Sequence, residues 1–272
     1  MRRLFVLFIC CFASVKGTSE VRTLADPVFE PCISSTSWRS ISHTPLKADE
    51  NLRYVVHWGL VTGGYSTLSI QGIENINHRP AFHIVSEAHS VGLTDVLYTV
   101  RDHNDSWLDV DSLTSVRYEK NIHEGKYRIE QRVVMDQTCQ RYSDSSYRID
   151  KDRFEQQAGT MTVHAMDVLG SLYYVRTLPL EVGKSFTIDV LSNGKLWPLE
   201  VSVRKRETIK ISAGKFDCWL IEPLLREPGI FISKGKKLEV WMTADEKRIP
   251  IRMRSEVVIG HVSADLIELP EH

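Results

Sequence analysis

Two runs, KSFTIDVL and KLWPLEV, meet at Ser192-Asn193-Gly194. Asn-Gly accepts the positive φ angles that a two-residue type I′ turn demands, so this is the strongest hairpin signal in the chain. The same pattern repeats from residue 51 almost to the end. LRYVVHWGL and GGYSTLSIQGI join through LVTGG, whose glycines suit a turn. PAFHIVSEAHS sets Phe82, Ile84, Ser86 and Ala88 on one side and His83, Val85, Glu87 and His89 on the other, as a half-buried strand does. LYTVRDHNDSWLDV, TSVRYEKNI, KYRIEQRVVM and SYRID follow. ETIKIS and KFDCWLIEPLL then turn at Ala213-Gly214, and KLEVWMT, IPIRMRSEV and GHVSADLIEL complete the series. About a dozen strands with hairpin-length connections must curl or close. The expected fold is therefore all-β, a large curved antiparallel sheet or partly open β-barrel. Pro198 and Pro250 belong at edges or bulges of it, and aromatics such as Tyr54, Trp58, Tyr118, Trp197, Phe216 and Trp241 can supply its interior.

One stretch departs from strand periodicity. DVLGSLYYVRTLPLEVGKSF, residues 167–186, reads as a helix capped by Asp167, ended by Pro179 and turned into the next strand at Gly183. At 100° per residue Val168, Leu172, Val175 and Leu178 share an arc that Leu169 and Tyr173 extend, with Gly170, Tyr174 and Thr177 opposite. A helix of about 12 residues is marginal alone. It is expected to pack on or across the concave face of the sheet. Arg176 falls inside the apolar arc, where a guanidinium needs a partner. Two partners are chemically reasonable: a carboxylate of the sheet, or the anionic head of a lipid-like ligand.

Arg2 and Arg3, the apolar run LFVLFICCFASV and the small residue Gly17 have the order of a secretory signal. The expected organisation is a signal peptide at 1–17, an extended leader at 18–48 and a single β domain at 49–270. No later run reaches the roughly 20 apolar residues of a transmembrane helix. The full chain has a net charge of −1, and removing residues 1–17 takes away three bases and no acid, leaving −4. That balance excludes a nucleic-acid partner, which needs a basic excess or patch. Cys32, Cys139 and Cys218 remain, an odd number that permits one disulfide without fixing which.

The blocks VRDH, YEKN, EGKYR, DVLGSLYYVRTLPLEVGKSF, ISAGKFDCWLIEP and DEKRIPIRMRSEVVIGHVSADL resemble, in order and spacing, a bacterial exported family catalogued as domain of unknown function 3108. The resemblance runs from about Asn51 to Leu269. It implies a predominantly β exported protein and brings no catalytic set with it. It also implies a likeness to curved-sheet and barrel proteins that hold apolar ligands, which is an analogy of fold.

No motif commands a chemistry. His83 and His89 lie about 20 Å apart along one strand at ~3.3 Å per residue, too far to share a metal. Residues 102–112 gather four aspartates but have Trp107 where an EF-type calcium loop needs glycine. Ser192/Lys195 and Ser212/Lys215 match S-x-x-K, yet both fall in hairpin turns rather than on a helix. The leading expectation is a non-enzymatic, cofactor-free protein of the bacterial envelope, periplasmic or outer-membrane-associated, that binds a lipid or other apolar ligand within the sheet. Arg176, Tyr173 and Trp58 are its expected ligand contacts. The alternatives are a structural or assembly factor that meets other envelope proteins through its surface, and an enzyme acting on envelope polymers.

Overall fold

The computed structural model describes residues 24, 26–33, 37–41, 44–225, 237–257 and 260–269. The expected signal peptide at 1–17 lies outside the described residues, as does part of the 18–48 leader. The strands, in chain order, are β1 (Asn51–Trp58), β2 (Val61–Ile76), β3 (Arg79–Ser90), β4 (Val100–Asp109), β5 (Ser115–Glu124), β6 (Tyr127–Asp136) and β7 (Arg141–Arg148). They continue with β8 (Arg153–Thr160), β9 (Ser185–Ser192), β10 (Lys195–Ile211), β11 (Gly214–Leu225), β12 (Leu238–Thr243), β13 (Pro250–Glu256) and β14 (His261–Leu266). All are antiparallel in one 14-stranded sheet ordered β8-β7-β6-β5-β4-β3-β2-β1-β14-β13-β12-β11-β10-β9. Thus β1–β8 and β9–β14 are two meanders, and the pairing of β1 with β14 fuses them.

The hairpin chemistry acts as expected at Asn193 and Gly194, whose φ angles of 51° and 67° close β9 onto β10. Pro198 lies beyond the last β10–β11 pair, Leu199 with Leu225, and Pro250 opens β13 opposite a bulge. Three details differ from the sequence expectation. The β1–β2 turn sits at Gly59-Leu60, and Gly63-Gly64 lie within β2. Gly64 is needed there for close approach, since a Cβ would stand 2.1 Å from the His89 carbonyl oxygen of β3. A six-residue helix, α1 (Gly92–Leu97), joins β3 to β4. The strand β8 has an exposed, polar sequence, RFEQQAGT, with no apolar alternation to announce it.

The sheet is open in hydrogen bonding, with β8 and β9 as its edges. Those edges nonetheless meet: the Tyr142 hydroxyl of β7 donates to the Gly194 carbonyl at 2.6 Å, and the Gln157 side chain of β8 packs against Gly194. The connection between β8 and β9 runs through the interior. Met166 bridges Val190 on the free side of β9, and α2 (Val168–Val175) then fills the hollow. Asp167 caps α2 by accepting from the Gly170 amide at 2.8 Å, as the sequence predicts. The helix ends at Val175, earlier than Pro179, in tight turns from the amides of Arg176, Thr177 and Leu178 to carbonyls three residues back.

Burial on α2 is not confined to one arc. Gly170, on the side expected to face away from the sheet, is buried against β4 and β5, and Tyr174 is covered by the Arg39 guanidinium 4.0 Å from its ring centre. A helix enclosed by a curled sheet has no solvent face to spare. The described leader residues join no strand but reach the core, where Leu46 is buried and Ile41 packs against it. Cys32 is bonded to Cys139 in the β6–β7 turn, and Trp38 packs with Ala81, Trp107 and Val116. Among the described residues Cys218 is the free cysteine, and it is buried.

A methyl group at Gly170 would stand 2.7 Å from Ser115 Oγ and 3.0 Å from Leu108 Cδ1. Gly170→Ala therefore loses more to overpacking than it gains in helix propensity, with an expected net destabilisation of about 1–3 kcal/mol in urea unfolding.

Candidate ligand cavity

The inner face of the sheet is uneven in bulk. Near the middle of the strands Leu52, Ile70, Ile84 and Leu108 fill it. Toward the end where β3 gives way to α1, the inward positions of β2 and β3 carry Gly64, Ser66, Ser86, Ala88 and Ser90, which cross-strand register places side by side. Small side chains leave space. A cavity of about 60 Å³, partly open to solvent, results there, walled by Val56, Leu68, Val100 and Met253 and floored by Asp102 and Asn104. A second cavity of about 60 Å³ separates α2 from β10–β13, lined almost wholly by apolar groups such as Leu172, Val175, Val201, Ile221 and Val240. Met253 lines both.

The polar floor continues along β4, β5 and β6. Asn104 stands opposite Lys120, and Lys120 opposite Gln131. All three are buried, and the Tyr118 hydroxyl donates to Asn104 Oδ1 at 3.0 Å. Asp102 and Glu124, diagonal neighbours on β4 and β5, share a hydrogen bond. Burial drives the Asp102 pKa up to about 7 against the His123 amide, the hydrogen bond with Glu124 and the Lys120 charge. Burial, and then the charge of Asp102, raises that of Glu124 well above the usual carboxylate range. Two carboxyls so placed share a proton near neutrality, since ionising both would set two poorly solvated charges together. Burial likewise raises Asp144, which accepts from Gln131 at 2.6 Å and Gln157 at 3.2 Å.

The structure brings Arg176 and Tyr173 together, in a sealed cluster apart from both cavities. Arg176 is 1 % exposed and donates from Nη1 and Nη2 to the two oxygens of Glu50 at 2.6 and 2.7 Å, with a further bond to the Lys247 carbonyl at 3.1 Å. Burial opposes its charge, but the bonds to Glu50 prevail and its pKa is raised. Tyr173 lies against the guanidinium, and the Tyr54 hydroxyl donates to the Pro250 carbonyl at 2.7 Å beside them. The partner of Arg176 is thus a protein carboxylate. Trp58 is half-buried at the end of β1 near Gly260. None of the three expected ligand contacts lines either cavity.

The residues that do line them left a trace in the sequence. The alternation of small side chains in GYSTLS and SEAHS marks an interior face without bulk. Asp102 was hidden among four aspartates whose destinations differ. Asp109 is buried and holds Arg79 at 2.6 Å, while Asp105 faces outward. There its two oxygens meet His83 at 2.8 Å and His103 at 3.0 Å, while Glu74 takes the other nitrogen of His83 and Glu87 that of His103. Among the described residues no group of three or more histidine, cysteine or acidic side chains is placed to hold a metal ion. No described helix is long and apolar enough to cross a membrane.

Comparison with known proteins agrees with this architecture. A family model described as "Protein of unknown function (DUF3108)" matches residues 53–267. Among solved structures, a β-barrel-like protein of the domain of unknown function DUF1849 from Brucella abortus superposes with a TM-score of 0.53 at 10 % identity, covering 87 % of this chain and 100 % of that one. At that identity the likeness concerns the fold. No curated protein matches the chain.

Arg176→Met would strand the Glu50 charge in the interior and is expected to cost about 3–5 kcal/mol, whereas Glu50→Gln combined with Arg176→Met recovers most of that loss. Urea unfolding of the single and double variants measures the difference. The Asp102 carboxyl supplies a pH signature. It holds a proton in the folded protein up to about pH 7, whereas the unfolded chain releases it near pH 4, roughly. The folded state therefore binds more protons across that window. This stabilisation is complete below about pH 4 and is lost as pH rises through 7, at up to about 1.4 kcal/mol per pH unit. Asp102→Asn is expected to flatten that slope in unfolding curves taken between pH 5 and 8.

Proposed function

The chain belongs to the DUF3108 family of proteins of unknown function, and from that premise and the cavity geometry we propose that it is a non-enzymatic binder of an apolar, lipid-like molecule held inside the curved sheet. The observation that carries the reading is the wall that two cavities share at Met253, one almost wholly apolar and the other with Asp102 and Asn104 at its floor. An elongated amphiphile matches that polarity: its hydrocarbon part against α2 and β10–β13, its polar end against the β4 floor. A protonated carboxyl and an amide offer both donors and acceptors to hydroxyl or amide groups of such a ligand. The apolar run at residues 4–15 and the Cys32–Cys139 disulfide support an extracytoplasmic setting, which for a bacterial chain is the periplasm or the outer-membrane surface.

A second reading deserves a place because of one observation, the proton-sharing pair Asp102 and Glu124 beside the cavity. An enzyme acting on envelope polymers would use such a pair as acid and base. The binding reading is preferred because only Asp102 of the pair lines the space.

Native mass spectrometry of the purified protein, followed by organic extraction, separates the readings. A reproducible bound lipid-like mass is expected. Met253→Trp, which places bulk in the wall that both cavities share, is expected to reduce its occupancy by about tenfold, the effect of losing one well-packed apolar contact region. A protein that retains no apolar mass and takes up no fluorescent fatty acid in buffer would remove the binding reading.

A further inference from the structure

Of the thirteen large apolar side chains exposed among the described residues, six (Leu60, Val61, Tyr65, Leu93, Val96 and Leu97) gather at the mouth of the first cavity. On α1, Leu93, Val96 and Leu97 are 71 %, 81 % and 74 % exposed, and their i, i+3, i+4 spacing gathers them on one face. On the neighbouring β1–β2 turn, Leu60 is fully exposed and Val61 more than half. The two segments are adjacent, because the Val91 amide donates to the Gly63 carbonyl at 3.0 Å. Between them lie Gly63, Gly64, Tyr65, Ser90 and Val100, all lining the cavity. The helix is held in place from below: Ser90 Oγ donates to Asp95 at 2.6 Å, and Arg101 grips the same carboxylate at 2.8 and 3.1 Å. Its aliphatic face is thus presented outward by a fixed support.

The chemistry of this rim favours a lipid surface over a protein. Residues 58–66 and 91–100 contain one charged side chain, Asp95, and Arg101 neutralises it. The most exposed projecting groups are leucine and valine, which partition into hydrocarbon, and Tyr65 beside them suits the headgroup level of a bilayer. We propose that α1 and the β1–β2 turn form a membrane-contact rim that seats the cavity mouth on a bilayer, so that the apolar ligand passes between lipid and cavity without crossing water. This inference rests on the ligand-binding reading above and adds the surface through which it operates.

Flotation of the purified chain with phosphatidylcholine vesicles tests it, alongside uptake of a fluorescent fatty acid in vesicle-free buffer. Wild type is expected to float. Leu93→Asp combined with Val96→Asp, and separately Leu60→Asp on the other side of the mouth, are expected to lose at least about tenfold in partitioning, as charges placed in an inserting face do. Val182→Asp, exposed but outside the rim, should float as wild type, and fatty-acid uptake should survive in all four proteins. A wild-type chain that takes up fatty acid but does not float overturns the rim and leaves the cavity reading standing. Rim-dependent flotation without fatty-acid uptake supports the membrane face and removes the ligand reading instead. Equal flotation of wild type and both rim variants overturns the assignment, as does a wild-type dimer that the rim substitutions dissociate, which would make a second copy the occupant.

Discussion

The bidentate contact between Glu50 and Arg176 ties together the parts of this fold that strand pairing leaves separate. Glu50 precedes β1, and Arg176 ends α2 on the connection between the two free edges of the sheet. A curled sheet of this size has an apolar hollow, and an eight-residue helix inside it has no internal reason to adopt one depth or rotation. A charge pair with both partners almost fully buried supplies one, because any displacement strands a charge in a medium that solvates it poorly. Tyr54 and Tyr173 pack around the pair and exclude water from it. The position of α2 in turn determines how much of the hollow is left between Leu172 and Val175 on one side and β10–β13 on the other.

The interior is accordingly divided by polarity as well as by shape. The β9–β14 half is aliphatic at nearly every inward position, while β4–β7 carry Asp102, Asn104, Lys120, Gln131 and Asp144 inward. A purely structural core has little use for a buried lysine among carboxyls that are themselves held partly protonated. Their mutual hydrogen bonds make the arrangement tolerable, and the cavity beside them gives it a chemical face.

Much of the architecture could be read from the chain alone, because antiparallel strands joined by short turns write their period and their turn residues into adjacent positions. What escaped was whatever depends on placement across the fold. Arg176 stood out on its helical arc, but Glu50 lies 126 residues earlier, at the end of a stretch without periodicity. Gly63 and Gly64 looked like turn residues, and only the proximity of the His89 carbonyl reveals the need for a missing side chain. In β4 the period of two separates Asp102 from Asp105. With polar groups on both faces, however, alternation cannot say which face is the interior. The helix α1 is six residues long and the strand β8 nearly all polar, so neither has the apolar repeat by which elements are recognised.

The pairing of β1 with β14 has a consequence for how the molecule comes into being. Every other neighbouring pair of strands is consecutive along the chain, so each meander can assemble by successive hairpin closures, which carry a small loop entropy. The seam between Tyr54 and Leu266 spans more than two hundred residues. The nascent chain can therefore accumulate two half-sheets as it emerges, each with its hydrophobic side uncovered. The β1–β14 seam forms only when β14 arrives, so the longest-range pairing of the sheet comes after the hairpins on either side of it.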